Sequence, residues 1–136
     1  TTLMVVPDST LQVTFKAPQS GNVEIFVSIY VDTTAGRNLV FGLSDSSLYS
    51  GIDFPNSNDP TNEHKVYLGD ESDEEEVNHR WVVEGLTPGT SYTWYLAAKT
   101  TLTNSAYVLR WGGDATAEYA PFIMKATALP STIYTG

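Results

Sequence analysis

The sequence has no cysteine among its 136 residues. Neither a disulfide framework nor a thiolate metal site can hold the fold, and a small secreted disulfide scaffold is excluded. Cations are also scarce: 7 Lys and Arg stand against 16 Asp and Glu, for a net charge of -9. Such a chain repels phosphate backbones, so no nucleic acid partner is expected. No apolar run approaches the roughly 18 residues that cross a bilayer, and the opening "TTLMVVPDST" lacks the basic flank and length of a signal peptide. A soluble chain without membrane insertion is expected.

Catalytic motifs are missing as well. There is no G-x-S-x-G elbow; "FGLSD" (residues 41–45) is the nearest string and lacks the second glycine. Only His64 and His79 could act as imidazole bases, and His79 shares an alternating face with Val77, Trp81 and Val83, which reads as a half-buried structural histidine. Glycoside hydrolysis needs two carboxylates at a defined separation in space, and the sequence singles out no pair. The chain is expected not to be an enzyme.

What the sequence does contain is period-two alternation. In residues 22–32, "NVEIFVSIYVD", the residues Val23, Ile25, Val27, Ile29 and Val31 fall on one face, which only a strand can bury together. Its other face carries Glu24, Phe26, Ser28 and Tyr30, a polar and aromatic mixture suited to partial cover by a neighbour or to an interface. The same alternation recurs in residues 10–16 (Leu11, Val13, Phe15), 75–84 (Val77, His79, Trp81, Val83) and 91–99 (Tyr92, Trp94, Leu96, Ala98). Trp81 and Trp94, inside these runs, read as core.

Weaker strand patterns occupy residues 38–44, 63–69, 106–111 and 120–128. About eight strands result, without a helical period anywhere, which predicts an all-β, two-sheet antiparallel β-sandwich, jelly-roll-like, over residues 1–136 as a single domain. A fibronectin- or immunoglobulin-like sandwich is the alternative. Short Gly, Pro, Asn and Ser segments such as "APQSGN", "DTTAGRN", "LTPGTS" and "LTNSA" supply hairpins and corners. The polar, proline-broken stretch 44–62 is too long for a hairpin loop and reads as a surface excursion or a functional loop.

Two segments are candidate sites. "DESDEEE" (residues 70–76) gathers six acids in seven positions, and Asp70, Asp73 and Glu75 are the residues a hard cation such as calcium would use. Calcium loops space their ligands on alternate positions around a glycine, whereas this run is nearly continuous, so a solvated acidic loop is the plainer reading. No other cofactor is expected. In "YVLRWGGDATAEY" (residues 107–119) Arg110, Trp111, Asp114 and Tyr119 surround a double glycine, the combination of ring and hydrogen-bonding groups that holds sugars or peptides. The competing reading makes Trp111 core and the glycines a bulge.

Two resemblances follow from particular motifs. "VEGLTPGTSY" resembles the corner of fibronectin type III modules, in which Leu86, Pro88, Gly89 and Tyr92 would lock one end of a sandwich. A wider resemblance rests on "VTFKAPQSGNVEIFVSIYVDTTAGRNLVFGLSD", "HRWVVEGLTPGTSYTWYLAAKT" and "LRWGGDATAEYAPFIMKATALP", which are similar to distal domains of bacteriophage fibres and other virion appendages. Those domains often have an A-P-x-S-G turn between two strands, here Ala17, Pro18, Ser20 and Gly21, and close on an L-P tail, here Leu129 and Pro130. The resemblance implies a homo-trimer on the particle surface, in contact with other virion proteins, as a fibre tip that binds a host-surface glycan or protein or as a capsid decoration. The rivals are a carbohydrate-binding module and a fibronectin-like spacer without a ligand.

Overall fold

The computed structural model describes residues 6–33, 37–48, 64–68, 74–100, 107–110 and 121–131. Among them there is no helix, and all eight expected strands are present. They are β1 (Gln12–Lys16), β2 (Val23–Thr33), β3 (Arg37–Ser44), β4 (His64–Leu68), β5 (Glu74–Val83), β6 (Ser91–Thr100), β7 (Tyr107–Arg110) and β8 (Ile123–Ala128). The chain is an all-β, two-sheet antiparallel sandwich.

One sheet has the order β1-β6-β3-β4; in the other, β2 lies between β5 on one edge and both β7 and β8 on the other. Two pairs, β2 with β5 and β3 with β6, match the B–E and C–F neighbours of the immunoglobulin-type sandwich. The flanks are exchanged relative to that fold. The first strand lies beside β6, where the immunoglobulin type sets its last, and the last strand lies beside β2, where it sets its first. The sandwich thus shares two neighbour pairs with that fold and differs from it in where β1, β7 and β8 are placed.

The alternation read in residues 22–32 explains why β2 is central. Val23, Ile25, Val27, Ile29 and Val31 are all buried, facing Leu39, Phe41, Leu43, Trp94, Leu96 and Ala98 of the opposite sheet across one core. Each such side chain contributes about 1.5–3 kcal/mol by leaving water. Trp81 and Trp94 are core, as their periodicity implies, and His79 is half-buried with its ring edge-on to Trp81 at 4.6 Å. Phe15 stacks on Tyr92 at 5.8 Å and meets Trp94 edge-on at 5.1 Å, which seals the core beneath β1.

The first sheet is buried on both faces at its centre. Val40 and Ala97 lie outside the core cluster, in register rows that alternate with those of Phe41 and Leu96, and yet are only 1% and 0% exposed. A period-two strand therefore does not describe β3, whose residues 39–44 are all buried. That is why residues 38–44 gave only a weak strand pattern: a strand covered on both sides needs no polar face.

Residues 84–90 join β5 to β6, which lie in different sheets, so this turn is a corner of the sandwich and not a hairpin. It is welded to the β1–β2 corner, residues 17–22. The Leu86 N–H donates to the Gly21 carbonyl at 3.0 Å, the Gly89 N–H to the Ala17 carbonyl at 2.9 Å, and the Ala17 N–H to the Thr90 carbonyl at 2.9 Å. Gly21 sits at φ 71, where a side chain is disfavoured, and a Cβ there would come within 2.6 Å of the Leu86 carbonyl oxygen.

Candidate functional site

The C-terminal tail closes on the same corner. The Leu129 N–H donates to the Asn22 carbonyl at 3.0 Å, the Ser20 hydroxyl to the Leu129 carbonyl at 2.7 Å, and the Asn22 side-chain amide to the carbonyls of Pro130 at 3.0 Å and Ser131 at 3.4 Å. Asn22 is a buried polar residue, and these bonds offset the cost of taking its amide out of water. The A-P-x-S-G turn and the L-P tail, over a hundred residues apart in sequence, thus form one hydrogen-bonded unit.

At the opposite end of the sandwich β2, β4 and β6 end and β3, β5 and β7 begin. Asp70 and Asp73 of the acidic run lie outside the described residues. Glu74, Glu75 and Glu76 belong to β5 as the register partners of Asp32, Val31 and Tyr30, so the second half of the acidic run is strand and not the solvated loop that the sequence suggests. Among the described residues no group of three or more His, Asp or Glu could hold a metal ion.

Of the four residues proposed for ligand recognition, Trp111, Asp114 and Tyr119 lie outside the described residues. Arg110 ends β7 as the register partner of Tyr30. The register shows how this segment is attached. Arg110 is opposite Tyr30 and Ile123 is opposite Ser28, so a continuous edge strand would need one residue there, facing Ile29. Residues 111–122 fall in sequence between these two register points, and residues 111–120 lie outside the described residues.

Beside that break, the outer face of the second sheet carries a side-chain cluster across three strands. Arg80, Phe26 and Lys125 share one register row. The Arg80 guanidinium carbon lies 5.0 Å from the centre of the Phe26 ring and the Lys125 ammonium 5.2 Å from it, so one ring is attracted by cations from both neighbouring strands. Arg80 Nε also pairs with Glu24 at 3.2 Å, and the Ser28 hydroxyl donates to Glu76 Oε1 at 3.0 Å. Around them Val82 and Ile123 are 51% and 42% exposed, the large apolar side chains that this face leaves in water among the described residues.

Arg80 and Lys125 could not be found from sequence as members of a cluster, because their proximity depends on the register of two separate strands against β2. Phe26 could be, as the aromatic on the outer face of the clearest strand. No known protein family, no curated protein and no solved structure matches the chain.

Proposed function

We propose that the chain is a non-catalytic virion structural module, a fibre or capsid-appendage domain on the particle surface that assembles as a homo-trimer and, at a fibre tip, engages a host-surface glycan or protein. The observation that carries this reading is the union of the A-P-x-S-G turn with the L-P tail through Ser20 and Asn22. These are the two motifs on which the resemblance to virion appendages rests, and their contact gives both a joint structural reason. The outer face of the second sheet is the proposed assembly surface. It combines exposed apolar side chains, an aromatic, and charges of both signs, so a second copy can meet it without stranding a single sign of charge.

A second reading, a fibronectin-like spacer with no ligand, is favoured by the strand order and by the Tyr92 hydroxyl, which accepts the Thr87 N–H in the manner of the tyrosine corner of immunoglobulin-type domains. The carbohydrate-binding reading depends on the segment of Trp111, and on calcium if the acidic run binds it.

Light scattering after size exclusion separates the first two. A mass of three chains supports the appendage module; a monomer that persists as concentration is raised overturns the proposed assembly and leaves the spacer.

A further inference from the structure

We infer that the fold is built to carry tension along the chain, with both terminal strands loaded in shear. β1 runs antiparallel to β6, with Gln12 opposite Tyr95 and Lys16 opposite Ser91, so its first residue points away from the welded corner and its last residue reaches it. β8 runs antiparallel to β2 with Ser28 opposite Ile123 and Val23 opposite Ala128, so its last residue also arrives at that corner. A pull on the two ends of the chain therefore draws β1 along β6 away from the corner and draws β8 along β2 past it.

Ladder bonds between antiparallel strands lie perpendicular to the strands. A force along the strand axis strains every bond of the ladder at once, whereas a force across the sheet concentrates on the nearest bonds and opens them in turn. The β1 ladder is extended at both ends, by the Leu96 N–H donating to the Leu11 carbonyl and the Ala17 N–H donating to the Thr90 carbonyl, each at 2.9 Å. The β8 ladder is prolonged by the bonds from Ser20 and Asn22 to the carbonyls of Leu129, Pro130 and Ser131, which sit on the segment that takes the load first. Each sheet receives one terminal strand, so the force passes from one sheet to the other through the shared core and the welded corner. This inference rests on the fold alone and is independent of the virion reading.

The chain has no cysteine, so paired cysteine substitutions give unique handles for single-molecule pulling on the full chain. Ser9→Cys with Ser131→Cys loads the strands lengthwise; Val82→Cys with Thr127→Cys, whose residues share the row of Glu24, loads the second sheet crosswise. The lengthwise pair is expected to unfold at a severalfold higher force at the same loading rate, because forced unfolding reports the barrier along the pulled direction. Equal forces, or a stronger crosswise axis, would overturn the inference. Asn22→Ala is expected to lower the lengthwise force while leaving the crosswise force nearly unchanged, with Ser20→Ala as the milder variant should Asn22→Ala not fold. Equal losses on both axes would show ordinary destabilisation and overturn the role of the tail bonds.

Discussion

The phenolic oxygen of Tyr92 accepts the backbone N–H of Thr87 at 3.0 Å, so the second residue of β6 ties down the turn that leads into it. Tyr92→Phe keeps the ring against Phe15 and Trp94 and removes only this acceptor. The bond is exposed and water can take its place, so the expected loss is about 1 kcal/mol, read as a lower urea midpoint with unchanged slope. A loss above about 3 kcal/mol would mean that the hydroxyl organises the whole corner.

Two glycines of the welded corner give a contrast. Gly21 and Gly89 both have positive φ, but a Cβ at Gly21 meets the Leu86 carbonyl oxygen at 2.6 Å, while at Gly89 nothing lies within 4 Å. Gly89→Ala is expected to cost about 1 kcal/mol, the backbone penalty alone. Gly21→Ala adds a backbone clash and is expected to cost about 3 kcal/mol or more. Thermal melts of the two variants check the order; similar losses would refute the close approach of the two corners.

Phe26→Ala removes a ring held by Arg80 and Lys125. The two contacts are worth about 0.5–1 kcal/mol each at an exposed site, so the fold is expected to survive. Assembly is expected to be lost, with light scattering reporting a monomer. A Phe26→Ala chain that still assembles as the parent does would move the interface to another surface.

Ala97→Leu is a test of the first sheet's outer face. On a solvated face the change would be nearly neutral, but Ala97 is fully buried, so overpacking is expected to cost about 1–3 kcal/mol. Thr93→Leu, on the same face but only half-buried, is the control and is expected to cost less than Ala97→Leu.

With a net charge of -9, the chain is expected to gain stability as salt screens its own repulsion. Calcium and sodium chloride at matched ionic strength should raise Tm equally if the acidic run 70–76, whose last three residues belong to β5, binds no cation specifically. An extra rise with calcium, reversed by chelator, would instead establish a site among Asp70, Asp73 and Glu75.

How far the sequence could be read depended on which faces meet water. β2, β5 and β6 announce themselves because one side of each is apolar and the other is not, so Ile25, Trp81 and Leu96 could be placed in the core from spacing alone. β3 gave a fainter signal because Val40 is as buried as Phe41. The corner residues Leu86, Pro88, Gly89 and Tyr92 were legible because turn chemistry is local. Strand order was not, since pairing β1 with β6 or β8 with β2 depends on which side chains fit between segments far apart in sequence. For the same reason the Arg80, Phe26 and Lys125 cluster and the clamp of Ser20 and Asn22 on the tail were out of reach.

The interruption between Arg110 and Ile123 also bears on how this protein can change. Arg110 and Ile123 flank the register position of the buried Ile29, so whatever its length, the chain between them starts and ends at fixed points of one sheet edge. Loop length itself costs little, on the order of 0.6 kcal/mol for each doubling. A change in the number of residues between these two points is therefore expected to leave the pairing of β7 and β8 with β2 in the same register.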